Sequence, residues 1–411
     1  MNLNKEEKKV FILLMISSFF NGAILSAFLT QDIIAKKALA AQDFQITLLV
    51  MLWPLSNLFS IWWGKALEYS KSISKFFVFS AIFGRLILIL MLFVKDYPSY
   101  LIIMILVFSF NSLISPAQNI ILQNKFRPQN RGITFGYTAS VITVVMILVT
   151  YITGKYLDID QNYFKIFFVF VGIMGFFSML ALALIKVDKK SLPHEPLSFG
   201  KIFIQPLTRM FELLKRDKNF ALFQRNFFIY GIAYMILLPA IPKYLVDYIG
   251  LDYSKTFIGK AILSQLGILI LAPLAGKIHD KKSPPHFTMY VFAMLSLYPI
   301  ALLVSSFYIG QAFDLYIIYF AFILFGIGMA GMVIAWNISS LYFAGSEDVS
   351  MYQSTHVTLT GVRGIFFPII GLFIMRTFGM RAVFSTAAVI FFIASYFSWR
   401  LHKKMKSIIK I

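Results

Sequence analysis

From Val10 to the C-terminal tail, long apolar stretches alternate with short polar ones. The apolar stretches have the length a bilayer demands, because a membrane-spanning helix needs about 20 mostly apolar residues. Runs of that kind fall at 10–31, 44–64, 76–94, 100–122, 133–153, 164–185, 221–241, 256–276, 287–306, 314–340, 354–376 and 382–401. They predict an all-α polytopic membrane protein with twelve transmembrane helices. The alternating segments of about ten residues that build a membrane β-barrel are too short to account for them.

The longest hydrophilic interval divides the runs six and six. The expected organisation is therefore a six-helix bundle at 1–185, a cytoplasmic linker at 186–219 and a second six-helix bundle at 220–411. Within the linker, Ile202, Phe203, Leu207, Met210, Phe211 and Leu214 recur among basic residues. That spacing suits an amphipathic helix at the membrane surface; a solvated linker is the alternative.

Composition sharpens the class. The chain is 59% hydrophobic and only 14% charged, where a soluble protein carries about 25% charged residues. A net charge of +20 would suggest a nucleic-acid partner, but the lysines and arginines collect on alternate loops. By the positive-inside rule this places both termini in the cytoplasm, as in a bacterial inner membrane, and makes the charge topological information. The first run is too long for a signal peptide and has no cleavage site, so it reads as an uncleaved helix. With no cysteine, disulfides, thiolate zinc sites and iron–sulfur clusters are excluded. The sequence has no P-loop, nucleophile motif or metal-ligating cluster, so neither an enzyme nor a cofactor is expected.

The two halves share punctuation. After the second run of each half, "WGKALEYSKSISKFF" and "AGKIHDKKSPPHF" both read Gly-Lys, an acid shortly after, then lysines, with Glu68 in one and Asp280 in the other. The junction "NKFRPQNRGITFGYTAS" has a counterpart in "LYFAGSEDVSMYQSTHVT". With two such pseudo-repeat bundles, the chain resembles the major facilitator superfamily over essentially its whole length. The resemblance implies alternating-access transport of a small solute around a site at the repeat interface. It also implies gating roles: Glu68 would meet the start of the eleventh helix and pair with Arg127 or Arg131, and Asp280 would do the same for the fifth. Two features depart from the family's drug/proton antiporters. The fourth run lacks an embedded arginine, and the fifth lacks their Gly-Pro-rich signature.

In the superfamily the first, fourth, seventh and tenth helices line the cavity, and the polar residues here can be set on that frame. Asn21 and Asp32 share a face of the first helix at helical spacing. Asp32 is either a solvated helix-end carboxylate or a proton- or solute-handling group. Asn111, Ser115 and Gln118 form a stripe on the fourth, and Asn226, Tyr230 and Tyr234 one on the seventh. Tyr137 and Gln265 are flanking candidates. His356, Thr360 and Arg363 share a face of the eleventh helix. A mid-helix arginine costs about 2.5–3.5 kcal/mol on insertion scales, so it must meet water or a partner. Either Arg363 is a cation in the solute path, or it ties neighbouring helices together. Arg85 reads as structural, its helix being peripheral.

Arg85, Arg363, His356 and Lys260 face Asp32 alone among embedded ionisable groups. That balance favours anionic, zwitterionic or neutral solutes, with protons as a candidate coupling ion. The expected protein is a monomeric secondary transporter whose partners are a small solute and the bilayer. A proton-driven drug or metabolite exporter is the alternative, and a membrane receptor or scaffold on the same fold is a reading of another class.

Overall fold

The computed structural model describes residues 3–70, 72–187, 204–344 and 349–409, and every element among them is helical. In chain order these are α1 (Lys5–Ala38), α2 (Asp43–Tyr69), α3 (Ile73–Gly84) with a 3₁₀ segment (Leu86–Phe93), α4 (Tyr97–Asn111), α5 (Ile114–Lys125), α6 (Pro128–Ile159), α7 (Tyr163–Ala183), α8 (Gln205–Arg216) and α9 (Lys218–Leu237). Then follow α10 (Ala240–Lys243), a π segment (Tyr244–Tyr248), α11 (Tyr253–Phe257), a second π segment (Ile258–Leu263), α12 (Ser264–Asp280), α13 (Pro284–Ser305), α14 (Asp314–Ala344), α15 (Val349–Phe378) and α16 (Met380–Ile409). Among the described residues ten helices are long and apolar enough to cross a bilayer. Two shorter apolar helices, Asp43–Phe59 and Tyr97–Asn111, fall at the second and fourth predicted runs.

Several runs that read as one helix are divided. The third changes to 3₁₀ geometry at Arg85. The fourth breaks after Asn111, where the Ser112 hydroxyl donates to the Ser109 carbonyl at 3.1 Å. Such side-chain bonds give the backbone an alternative to the helical ladder. The seventh extends past its expected end, because Pro239 serves as the cap of a fresh turn, where a missing N–H costs nothing. The linker does form a helix, α8, which buries Met210 and Leu213 and exposes Leu207 and Phe211. Ile202 and Phe203 lie outside the described residues.

Contacts sort the chain into two compact units. The first comprises Met1–Gln45, Phe59–Ile202 and Asp252–Phe257; the second comprises Ile46–Leu58, Phe203–Leu251 and Ile258–Ile411. In the first, Leu14, Phe77, Ile121, Met179 and Leu182 form a core in which α1 meets α7, and the Ser17 and Ser178 hydroxyls pair at 3.0 Å. In the second, Phe227, Phe292, Val383 and Phe391 centre a larger core. There α2's Pro54 rests on α15 at Gly364: a Cβ on Gly364 would lie 2.2 Å from the Pro54 Cβ, so only glycine admits the contact. Pro368, one turn on, has no N–H to bond Gly364's carbonyl, which loosens α15 at the same place.

Candidate functional site

The second unit assembles a column of buried polar groups between α9 and α15. Arg363 is 4% exposed, and its guanidinium donates to the Phe227 carbonyl and, at 3.2 Å, to the Thr360 hydroxyl. Its Cζ stands 5.6 Å from the centroid of the Tyr230 ring, which in turn stacks on Phe292 at 4.9 Å. Gly231 makes room for it, since an added Cβ would lie 2.1 Å from Arg363 Nε. Two turns away, His356 Nδ1 and Gln224 Oε1 are 2.9 Å apart. An amide oxygen only accepts, so Nδ1–H is the donor and Nε2 is left as an acceptor in the neutral ring.

Three buried atoms of this column have no protein partner: Arg363 Nε, Gln224 Nε2 and His356 Nε2. A buried donor left unmade costs about 1–3 kcal/mol. The arrangement offers two N–H donors and one switchable nitrogen, which suits a solute carrying carbonyl or carboxylate oxygen. Gln265 is half-buried on α12. Sequence reasoning named His356, Thr360, Arg363 and Tyr230 but missed Gln224, which lies six residues before Tyr230 on the same helix and carries no motif of its own.

The first unit distributes its candidates differently. Asp32 is buried and its Oδ1 accepts the Ile33 N–H at 2.9 Å. Asn21 Oδ1 is buried without a partner. Asn111 accepts from Arg85 Nη2 at 2.7 Å, and Arg85, fully buried, lies 5.8 Å from the Phe28 ring on the Asn21–Asp32 face of α1. Gln118 is half-buried on α5, and Tyr137 is 54% exposed, with its ring edge-on to Phe11.

Of the expected gating residues, the side chains of Glu68 and Asp280 lie outside the described residues. Arg127 pairs with Glu7 at 2.9 Å, and its backbone N–H also donates to that carboxylate. Arg131 donates to the Phe126 carbonyl at 3.0 Å. Glu7 was not singled out from sequence, although Asn4-x-x-Glu7 has capping-box spacing and forms that box. At the other end of this unit, Asp158 accepts the Tyr253 and Ser254 N–H groups at 2.7 and 3.0 Å, capping α11. Lys37 sits 4.4 Å from the Tyr253 ring. Beside it, burial raises the Asp252 carboxyl, but hydrogen bonds from Lys255 outweigh that and hold it below the usual range. Among the described residues no three His, Asp or Glu side chains gather at metal-holding distance.

Residues 10–345 match the sequence model of the Major Facilitator Superfamily. Curated relatives include proteins named "Multidrug resistance protein MdtG". The one from Serratia proteamaculans is 24% identical over 67% of this chain and 65% of its own length. That from Proteus mirabilis is 31% identical over 39% of each. The chain thus spans between 38% and 65% of the length of the curated relatives it matches. Solved structures of similar fold include a POT family transporter in complex with 5-aminolevulinic acid, with a TM-score of 0.74 at 13% identity, covering 97% of this chain and 96% of that one. The nucleoside transporter NupG gives 0.71 at 13% identity, covering 97% and 100%.

Proposed function

The chain belongs to the Major Facilitator Superfamily, and from that premise we propose that this integral membrane protein is a secondary transporter moving a small organic solute by alternating access. Its twelve predicted runs, in halves 1–185 and 220–411 joined by the linker 186–219, supply the two elements that rock. The observation that carries the reading is the buried column of Gln224, His356 and Arg363 with three unpartnered nitrogens. The donors select a solute with exposed oxygen acceptors that is anionic, zwitterionic or neutral. Asp32, buried in the first unit, is the carboxylate for proton coupling.

A second reading, export of drugs, is favoured by the relatives' names. The absent Gly-Pro-rich signature in 133–153 does not support it. One experiment separates the two: transport by the purified chain in proteoliposomes, of a panel of anionic, neutral and cationic solutes, with and without a pH gradient. Preference for oxygen-rich anionic or zwitterionic solutes supports the first reading; preference for lipophilic cations overturns it.

The column also predicts a substitution effect. Gly231→Ala should leave the helices intact, because the atom met is the mobile end of Arg363, but should push the guanidinium aside. Losing a charge-assisted hydrogen bond costs about 1.5–3 kcal/mol, so solute affinity should fall about 10- to 100-fold. Equilibrium binding of the preferred solute to the variant checks this.

A further inference from the structure

A groove in the second unit has no part in the transport reading. α12 and α13 both pack along α14 and scarcely touch each other. Between them runs an apolar groove of about 380 Å³, walled by Leu274, Ile278, Val291 and Met294 and floored by Ile327. Lys282 stands at one end, its ammonium 4.5 Å from the Tyr290 ring centroid.

The charge that α13 and α16 bring to that end is of one sign. His286 neighbours Tyr290 at 5.4 Å and stacks on His402 of α16 at 4.1 Å, with the planes 13° apart. His402 Nδ1 lies 3.1 Å from the Ser283 hydroxyl. Next along α16, Lys403 caps the Trp399 ring at 3.9 Å. Neither α13 nor α16 contains an acidic residue, while the last turns of α16 carry Arg400, Lys403, Lys404 and Lys406. Tyr290, Tyr396 and Trp399 are exposed there, as aromatics are at a membrane–water interface.

We propose that this groove is a binding site for an anionic phospholipid, its acyl chain between α12 and α13 and its phosphate at Lys282, His286 and His402. A soluble anion would have no use for the apolar walls, and a neutral lipid none for the basic groups that Lys282, α13 and α16 bring to the mouth. Basic groups at a membrane surface attract anionic lipid individually and cooperate when clustered. The bilayer supplies such a ligand at high local concentration.

Native mass spectrometry of the full chain, delipidated in neutral detergent and titrated with phosphatidylglycerol or phosphatidylcholine of equal chain length, tests the proposal. Phosphatidylglycerol should be retained preferentially, and Lys282→Gln should weaken its retention about fivefold, the worth of one basic group, leaving phosphatidylcholine unchanged. His402→Glu, which brings negative charge to the same mouth from α16, should do likewise. It keeps the test open should the lysine variant not fold. Leu274→Trp, filling the groove without altering charge, should also reduce retention. Equal retention of the two lipids, indifference to both mouth variants, or displacement of the lipid by soluble glycerol phosphate alone would each overturn it.

Discussion

Arg363→Lys should leave the protein folded in the membrane and remove most of its transport. Lysine keeps the charge, but its ammonium is a compact point donor. Guanidinium is a planar fork that holds the Phe227 carbonyl and the Thr360 hydroxyl at once, with Nε still free for a solute. If that free donor binds solute, its loss costs about 1.5–3 kcal/mol, or about 10- to 100-fold in affinity. Arg363→Ala should cost at least as much transport and little folding. The Phe227 carbonyl lies inside α9, where the helical ladder gives it a second donor. Transport normalised to the folded protein recovered by size exclusion decides the matter. Loss of folded protein in the lysine variant, which retains charge and reach, would assign Arg363 to holding α15 against α9 and remove it from the solute path.

The helices were legible in the sequence because hydrophobic length is a one-dimensional signal. What interrupts them was not. The break at Arg85 involves no proline; the one after Asn111 falls one turn before Pro116, which has no N–H to bond the Ser112 carbonyl; the π segments at Tyr244–Tyr248 and Ile258–Leu263 leave no mark on apolar periodicity. The site shows the same division. His356, Thr360 and Arg363 share a face by spacing alone, and that face is buried. Their partners Gln224 and the Phe227 carbonyl belong to a helix over 120 residues away in the chain, and helix rotation and pairing are not written in a single sequence. Charges were hardest to place. Glu7 and Asp158 were not singled out from the sequence, yet each holds backbone N–H groups at a helix start, Glu7 those of Asn4 and Arg127 and Asp158 those of α11.

Asn111 is the residue on which the polar-stripe reading and the packing diverge, and its replacement should have the second large effect. Spacing put it with Gln118 on a solute-facing stripe; the structure gives its carbonyl oxygen to Arg85 at 2.7 Å. Arg85 Nε and Nη1 are buried and without protein partners, so the Asn111 carbonyl oxygen is the side-chain acceptor that this buried cation has. Gly175, whose Cβ would come within 2.9 Å of the Arg85 side chain, shows how closely α7 is packed around it. Losing a hydrogen bond to a buried charged group costs about 1.5–3 kcal/mol, so Asn111→Leu alone should lower the thermal midpoint. Exchanging both, Arg85→Met with Asn111→Leu, removes charge and partner together and should recover most of the loss, as apolar replacements of buried charge sets do. A double-mutant cycle on thermal stability in detergent measures the coupling. Should Asn111→Leu instead keep its stability and lose transport, the asparagine faces solute after all, and the cation beside it would join the transport site.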